Sequence, residues 1–425
     1  MPPIRFIHAA DLHLDAAFSG LSRDIPADFA ERLRTATFTT FRRLLDLCER
    51  ESPDFLLLAG DVYNQEDASV SAQLALRDGF RRLESLSIPV FLVHGNHDPL
   101  ASRLRSVRWP GNVTVFGELP DAVPVFRKGE GTPLAIIHGA SHASGRETRN
   151  LAALFRRTEA CGLHVGLLHA TPGDADGVAR YAPFSQEDLK ASGMDYWALG
   201  HIHDRREVCR EPLAAYPGCT QGLHINEPGE KGCLLVTAEA RSDGGYAVRT
   251  SFRPLGPAVW KTLDMDLGGA ASLDELENRL RTGLDRAAAE VWSGCEMLLV
   301  RLRLQGRTEL DGLLRKGTTC AELADRLRED GNGVPRIWIK DIDVATRPCV
   351  ERGALLERED LLGEVFRLSE AARTASGLQA LREGPLAPLF AHARAGKALE
   401  PLTDEELARL LDDAESLCLD LLENY

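Results

Sequence analysis

Short apolar stretches that end in polar, metal-competent residues recur in the first half of the chain. The stretches IRFIHAA, FLLLAG, VFLVHG, VGLL and YWALG are largely apolar over strand length, which is typical of strands buried on both faces of a sheet. The residues that follow these stretches, directly or two positions later, are Asp11, His13, Asp61, Asn96, His169, His201 and His203. This repetition favours a fold that brings several strand ends together.

The segments between these stretches indicate an α/β layered domain. Apolar residues at helical spacing run from Phe29 to Cys48 and from Leu76 to Leu83, and so alternate with the strands. In an open α/β sheet the carboxyl ends of neighbouring strands border one crevice, and ligands bind there. We therefore expect the seven strand-end side chains to converge on one small volume.

The donor set of these seven residues favours two divalent metal ions. It comprises two carboxylates, one amide and four imidazoles, which suit Mn, Fe or Zn better than the oxygen cages of calcium or the thiolate cages of structural zinc. Seven ligands exceed the needs of one four-coordinate ion, and a carboxylate can bridge two ions because it has two oxygens. On extended backbone, Asp11 and His13 would point to the same face, as would His201 and His203.

Taken singly, a buried histidine or aspartate is more often a hydrogen-bonded structural residue than a ligand. The strand-end pattern reverses that expectation for the set as a whole. The histidines outside the pattern are predicted to be structural: His8, His94, His138, His142 and His164.

Charge and composition restrict how the chain could contact nucleic acid. Its formal net charge of -14 argues against a generally basic DNA-binding surface, because sequence-independent DNA binding relies on Lys and Arg. A local candidate is the segment SRLRSVRWPGN, which carries Arg103, Arg105, Arg108 and Trp109. Guanidinium groups match phosphate geometry and an indole can stack on a base. The alternative is a solvated helix whose arginines contact only water.

A cytoplasmic protein without a membrane segment is predicted. The N-terminal apolar run is interrupted by His8 and Asp11, unlike a signal peptide, and no stretch approaches the roughly 20 apolar residues that span a bilayer. Nine cysteines without a CxxC pair suit reduced thiols.

Three regions are predicted along the 425 residues. Residues 1–255 hold the strand-end pattern and close with a hairpin near 233–254. Residues 256–350 alternate strand and helix and predict a small second α/β domain. Residues 351–425 predict an acidic helical tail whose last helix, rich in leucine from Leu407 to Leu422, suggests docking onto a partner or packing on its own protein.

The motifs DLH, GD, GNHD, the His of LLH, and GHIH occur in this order and resemble the signatures of the calcineurin-like metallophosphoesterase superfamily. More narrowly, FIHAADLHLDAAFSGL, GNHDPL and YPGCTQGLHINEPGEKGCLLV resemble the SbcD and YhaO type of DNA repair exonuclease, bacterial relatives of the double-strand-break repair nuclease. The resemblance covers about residues 4–254. It implies a four-layer αββα sandwich, followed by an α/β capping domain that shapes DNA access.

The resemblance also implies roles for individual residues. One metal ion would be held by Asp11, His13, Asp61 and His203. The other would be held by Asp61, Asn96, His169 and His201, so that Asp61 is the bridge. His97 would protonate the leaving oxygen, and Asp98 would orient the ring of His97. Where archaeal relatives have a second helper histidine, this chain has Asn64.

The resemblance implies a DNA nuclease that acts in DNA repair, as a 3'-5' exonuclease on duplex DNA, an endonuclease on single strands, or both. It also implies two divalent metal ions, with Mn²⁺ favoured over Fe, Zn or Mg. Its implied partners are DNA and an SMC-like coiled-coil ATPase of the YhaN or SbcC type, and a homodimer is also implied. Alternative interpretations are a phosphodiesterase or phosphomonoesterase acting on small nucleotides, and a non-catalytic DNA-repair scaffold subunit.

Overall fold

The computed structural model describes residues 2–21, 25–64, 69–102, 107–174, 180–242, 244–329, 333–349, 352–392 and 402–422. Its strands are β1 (Ile4–Ala9), β2 (Phe55–Ala59), β3 (Val90–Val93), β4 (Val113–Val115), β5 (Asp121–Val125), β6 (Ala135–Ala140), β7 (Leu163–His169), β8 (Tyr196–Gly200), β9 (Arg206–Arg210), β10 (Leu213–Tyr216), β11 (Gly232–Ala240), β12 (Tyr246–Pro254), β13 (Ala258–Asp266), β14 (Met297–Gln305), β15 (Arg307–Thr308), β16 (Arg336–Val344) and β17 (Arg347–Pro348). Its α-helices are α1 (Ala27–Arg34), α2 (Ala36–Glu51), α3 (Val70–Ser85), α4 (Gln186–Ala191), α5 (Leu273–Glu290), α6 (Asp311–Leu314), α7 (Thr319–Glu329), α8 (Arg352–Leu356), α9 (Leu361–Ala372), α10 (Ala375–Glu383), α11 (Ala387–Ala391) and α12 (Asp404–Leu422).

Two six-stranded sheets form the first part of the chain. One has the order β12-β11-β1-β2-β3-β4, in which β1 to β4 run parallel and β11 pairs with β1 antiparallel. The other has the order β5-β6-β7-β8-β10-β9, with β6, β7 and β8 parallel. The antiparallel pairing of β11 with β12 confirms the predicted closing hairpin.

The two sheets pack face to face around a shared apolar core. Phe6, Phe55 and Tyr196 are fully buried between them. The outer face of the first sheet is covered by α2 and α3, and that of the second by α4 with Trp197 beneath it. The central strands β2, β3, β7 and β8 therefore have apolar contacts on both faces, which explains their largely apolar sequences. This arrangement confirms the predicted αββα sandwich.

A three-stranded parallel sheet, β13-β14-β16, follows the sandwich, with α5 and α7 in its crossover connections. This confirms the predicted second α/β pattern. Trp260 of β13 and Trp338 of β16 pack in one cluster with Phe29 of α1, and Arg43 of α2 donates to Glu296 at 2.7 Å. The small sheet therefore rests directly on the first helices of the chain.

The described chain divides into two compact units. The first comprises Met1–Gly268, Ser272–Gly306 and Leu313–Ala345, and so contains both the sandwich and most of the small sheet; the second comprises Gly269–Ala271, Arg307–Gly312 and Thr346–Tyr425. The domain limits at residues 255 and 350 stay predictions.

The second unit is largely helical, as predicted for the tail. Leu355, Phe366 and Leu419 are buried together there, and Arg352 binds Glu415, a carboxylate that is itself buried. None of the helices in the described ranges is both long enough and apolar enough to cross a membrane.

Candidate metal centre

All seven predicted ligands lie at one end of the sandwich. In the first sheet, β1 leads to Asp11 and His13, β2 leads to Asp61, and β3 leads to Asn96. In the second sheet, β7 ends at His169 and β8 leads to His201 and His203. The crevice between the two sheets therefore collects side chains from both, as the strand-end pattern predicts.

The side chains form two groups that share Asp61. In the first group, His13 Nε2 lies 3.1 Å from His203 Nε2 and 3.9 Å from Asp61 Oδ2, and His203 Nε2 lies 4.0 Å from Asp11 Oδ1. Two imidazole nitrogens and two carboxylates thus face one another.

In the second group, the side-chain oxygen of Asn96 lies 3.0 Å from His169 Nε2 and 3.1 Å from His201 Nδ1. The same His169 nitrogen is 3.4 Å from Asp61 Oδ2. Asp61 therefore contacts both groups, which is the position that a bridging carboxylate requires.

These atoms fit divalent ions. The ligand atoms of Asp11, His13 and His203 lie within 4.8 Å of one another, and so do those of Asp11, Asp61 and His169. Asp11, Asp61 and His169 are at most 1% exposed, and burying carboxylates so close together is costly unless positive charge compensates them. The nitrogen and oxygen donors suit Mn, Fe or Zn.

The backbone differs from the extended conformation expected around these residues. Asp11, His13, Asp61 and His201 all have positive φ angles, of 51°, 41°, 49° and 103°. Residues with side chains rarely adopt this conformation, and such strain concentrates at functional sites. The sharp turns after the strands therefore aim these side chains, rather than the period-two alternation of an extended strand.

Glycine is required at two positions where the backbone meets these side chains. A Cβ on Gly95 would lie 2.2 Å from Asp61 Oδ1, and a Cβ on Gly60 would lie 2.4 Å from His169 Nδ1. Gly60 also has a φ of +88°, in the region that favours glycine. Both glycines let the loops approach the site closely.

Without an ion, the buried charges shift one another's pKa. Burial raises the pKa of Asp11 to about 6, against the opposing charges of His169 and His203. Burial would also raise the pKa of Asp61, but His169 and His13 outweigh it and hold that pKa below its ordinary value. Burial lowers the pKa of His13 to about 4, whereas Asp61 and Asp11 overcome burial at His169 and raise its pKa to about 9.

His97 is exposed beside the site, and its contacts correct one prediction. Its ring packs edge-on against His13 with centroids 5.1 Å apart, and its backbone N–H donates to Asp61 Oδ1 at 2.9 Å. Its Nδ1 lies 2.9 Å from the carbonyl oxygen of Asn64, not beside Asp98.

Asp98 instead holds the two loops that carry candidate ligands. Its Oδ2 accepts the N–H of Val62 at 3.0 Å and its Oδ1 accepts the N–H of Gly95 at 2.8 Å. His94 Nδ1 is a further 3.3 Å neighbour of Oδ2. The prediction that Asp98 orients His97 is therefore wrong: its carboxylate is buried and already bound by these groups.

One carboxylate at the site was missed. Glu227 Oε1 lies 2.5 Å from His203 Nδ1, and Glu227 is 6% exposed. Cys219 is close to both, and burial raises the pKa of its thiol well above the ordinary value. Glu227 follows no strand, and the one signal for it was its place within the family-like stretch after Tyr216.

The five histidines predicted to be structural are buried or half-buried, and most bind within the fold. His8 contacts the Tyr196 hydroxyl at 2.9 Å, and burial lowers its pKa to about 3. His138 and His164 contact each other at 2.9 Å. His142 Nε2 donates to the carbonyl of His169 at 2.6 Å and so supports the backbone of a candidate ligand.

The predicted DNA-contact segment is only partly described. Arg103 and Arg105 lie outside the described residues, and Arg108 is exposed. Trp109 is half-buried and packs against Phe80 with ring centroids 5.4 Å apart. The role of Trp109 in stacking on a base stays a prediction.

Comparison with known proteins agrees with the site. The family description "Calcineurin-like phosphoesterase" matches residues 4–205, and "Metallophosphoesterase YhaO, middle domain" matches residues 260–347. The chain is 34% identical over 388 residues to the uncharacterized metallophosphoesterase YhaO of Bacillus subtilis, covering 90% of this chain and 91% of that protein.

More distant relatives are DNA double-strand break repair proteins Mre11. That of Aeropyrum pernix is 27% identical over 321 residues, covering 68% of this chain and 69% of that protein. That of Methanopyrus kandleri is 23% identical over 418 residues, covering 85% of each. The chain therefore belongs to the calcineurin-like metallophosphoesterases, in the family of YhaO.

Proposed function

We propose that this chain is a metal-dependent nuclease that hydrolyses phosphodiester bonds of DNA in DNA repair. The observation that carries the proposal is the convergence of seven candidate ligands around Asp61, with the exposed imidazole of His97 beside them. Similarity to the Mre11 repair proteins supports DNA as the substrate.

Each residue has a defined task in this proposal. Asp11, His13, Asp61 and His203 would hold one ion, and Asp61, Asn96, His169 and His201 the other. When bound, two divalent ions, with Mn²⁺ favoured, neutralise phosphate charge and supply a hydroxide nucleophile near neutral pH.

His97 gives a proton to the departing 3'-oxygen, which leaves a 3'-hydroxyl and a 5'-phosphate. The Asn64 carbonyl accepts the Nδ1 proton of His97, so the proton transferred is the one on Nε2 of the doubly protonated ring, which becomes the neutral Nδ1–H form. The backbone N–H of His97 donates to the Asp61 carboxylate, so the residue proposed as proton donor is held beside the candidate bridging carboxylate.

Three exposed arginines near the site support a polyanionic substrate. Arg146 follows Gly145, where an added Cβ would lie 3.1 Å from the Asn96 carbonyl oxygen. Arg180 precedes Tyr181, whose ring contacts that of His201. Arg205 follows the candidate ligand His203 by two residues. Within the described ranges, none of these three guanidinium groups is bound to a carboxylate.

Elsewhere on this acidic protein, arginines are commonly neutralised, as Arg82 is by Asp46 and Glu49. The guanidinium of Arg205 lies over the ring of Phe252, 3.9 Å from its centroid, which restricts its motion while its N–H groups stay available. Unpaired guanidinium groups on separate loops around a metal centre suit several successive phosphates better than a single small ester.

The test compares substrates directly. Purified full-length chain is incubated with Mn²⁺ or Mg²⁺ and with labelled duplex DNA, single-stranded DNA, bis-p-nitrophenyl phosphate or p-nitrophenyl phosphate, with His97→Ala as the matched inactive control. We expect Mn²⁺-dependent cleavage of DNA that the variant lacks. Hydrolysis of the small esters alone would favour the alternative, a phosphodiesterase or phosphomonoesterase acting on small nucleotides. A non-catalytic scaffold subunit would hydrolyse none of these substrates. A subunit that has lost its activity is expected to lack metal ligands, whereas all seven are present in this sequence.

We propose that residues 256–350 cap the site for DNA access and that residues 351–425 dock a partner. On α12, Leu410, Leu417 and Leu421 are 44%, 59% and 58% exposed, at a spacing that places them on one helical face. The proposed partner is an SMC-like coiled-coil ATPase, and a homodimer is the second proposed assembly.

Copurification tests this docking. Leu417→Asp should reduce binding of the ATPase, whereas Leu273→Asp, at a leucine of α5 that is 50% exposed, should not. Undiminished binding of the Leu417 variant, and of a chain truncated near residue 350, would contradict the docking.

A further inference from the structure

A buried carboxylate outside the seven candidate ligands contacts one of them directly. Glu227 Oε1 lies 2.5 Å from His203 Nδ1, and its Oε2 accepts the N–H of Leu223 at 2.7 Å. Both oxygens of Glu227 therefore have partners within the fold, and at 6% exposure the residue is shielded from water.

The two nitrogens of His203 face different surroundings. Nδ1 faces Glu227, whereas Nε2 faces the candidate metal site, 3.1 Å from His13 Nε2 and 4.0 Å from Asp11 Oδ1. A neutral imidazole carries its proton on one nitrogen and can bind an ion through the other. A carboxylate at Nδ1 favours the tautomer whose Nε2 lone pair is free.

The loop that carries Glu227 is braced by the small sheet. Trp260 of β13 donates its indole N–H to the Gly222 carbonyl at 3.1 Å and accepts the N–H of Gly229 on its backbone carbonyl at 2.8 Å. A Cβ on Gly222 would lie 2.7 Å from the Glu227 carbonyl oxygen, so the loop is closely packed. Trp260 thus fixes the loop on both sides of Glu227 in the sequence, at Gly222 and at Gly229.

We infer that Glu227 is a positioning residue, which holds the proton on His203 Nδ1 so that Nε2 can bind the metal ion. The inference rests on the metal site of the proposed function and adds a residue to it. Carboxylates that accept from a metal-binding histidine orient the ring and strengthen it as a ligand, and their loss lowers metal affinity about 10- to 100-fold.

A different role for Glu227 is that of a direct ligand, because its carboxylate, His203 and Cys219 place their ligand atoms within 4.8 Å of one another. The positions of the two oxygens favour the positioning role. One oxygen faces the very nitrogen that such an ion would need, and the other is bound by the backbone of Leu223.

The experiment measures metal binding rather than activity. Full-length protein stripped of metal is titrated with Mn²⁺ by calorimetry, and the bound ions are counted, for the wild type, Glu227→Gln and Glu227→Leu. The amide oxygen of Gln can still accept from His203 Nδ1, whereas Leu cannot. We expect Glu227→Leu to weaken one Mn²⁺ site about 10- to 100-fold and Glu227→Gln to weaken it less than about 10-fold.

His224→Ala is the matched control, because His224 Nε2 lies 3.2 Å from the same carboxylate oxygen but faces no candidate ligand among the contacts described. We expect its Mn²⁺ affinity to equal that of the wild type. The second readout is the tautomer of His203 in the metal-free wild type, from nitrogen-15 NMR at a pH where the ring is neutral, which should show the proton on Nδ1.

Distinct results overturn distinct conclusions. A wild type that binds no Mn²⁺ would overturn the metal site itself. A wild type that binds two ions beside a Glu227→Leu variant of unchanged affinity would overturn only the role of Glu227. Complete loss of one ion in both Glu227 variants would show that Glu227 is a ligand. A neutral His203 ring with its proton on Nε2 would overturn the inference, even if the Glu227→Leu variant failed to fold.

Discussion

The imidazole of His97 is held by the backbone of Asn64, whose carbonyl oxygen lies 2.9 Å from His97 Nδ1. The contact made by position 64 is therefore a backbone contact, and it restricts the orientation of the His97 ring. A backbone carbonyl accepts but cannot donate, so it selects the ring with a proton on Nδ1. The side chain at position 64 is not needed for this contact.

His97→Ala should abolish DNA cleavage while metal content stays at the wild-type value. Loss of a general acid costs about 100- to 10,000-fold in rate, and the His97 side chain is not among the candidate ligands. Single-turnover cleavage with metal analysis of the same sample checks this. Asn64→Ala is the matched control and should keep its rate, because it retains the carbonyl. Metal loss in His97→Ala would instead make His97 a ligand.

Asp61→Asn and Asn96→Ala should differ in the number of ions lost. Asp61 contacts both groups of side chains, whereas Asn96 contacts His169 and His201 of one group. We expect Asp61→Asn to weaken both ions and Asn96→Ala to weaken one, as measured by metal counting after dialysis against Mn²⁺. Equal stoichiometry in the two variants would refute Asp61 as the bridge.

Asp98→Ala should destabilise the metal-free protein. The buried N–H groups of Val62 and Gly95 would lose their acceptor, at a cost of about 1–3 kcal/mol for each unsatisfied group. Urea unfolding checks the free energy, with Asp121→Ala, at an exposed carboxylate of β5, as the control. A loss below about 0.5 kcal/mol would mean that water replaces the carboxylate.

Replacing Arg146, Arg180 and Arg205 together by Ala should flatten the salt dependence of DNA binding. Each phosphate contact contributes about 0.9 to the slope of log affinity against log salt, so the slope should fall by about two to three. Hydrolysis of bis-p-nitrophenyl phosphate should be unchanged. The control replaces Arg34, Arg249 and Arg286, which have carboxylate neighbours. Equal slopes in both triple variants would exclude Arg146, Arg180 and Arg205 as DNA contacts.

Glu147 should contribute stability that is lost in acid. Its hydrogen bonds from Arg149, at 2.9 and 2.7 Å, lower its pKa from 4.5 to about 2. Because the folded-state pKa is depressed, the stabilisation is complete above about pH 4.5 and disappears as the pH falls towards 2. The difference in unfolding free energy between wild type and Glu147→Gln should therefore shrink over this window. A constant difference would show that the Glu147 charge does not matter.

The sequence predicted the ligand set because the signal was local. Each candidate ligand lies at the end of a largely apolar strand or within a few residues after it, and parallel strands in a layered fold place such ends in one crevice. The sandwich, the closing hairpin of β11 and β12, and the strands and helices of the small sheet follow from periodicity in the same way. Short edge strands such as β4 and β9 were not predicted, because their sequences are not continuously apolar.

Tertiary structure decided the contacts between side chains that are distant in sequence. Asp98 is adjacent to His97 in the chain, yet its carboxylate binds the loops of Val62 and Gly95, and Glu227 reaches His203 across 24 positions. Strand-end patterns determine which side chains reach the crevice. Their hydrogen-bond partners depend on which buried donors and acceptors packing brings within about 3 Å, and that is a property of the folded chain alone.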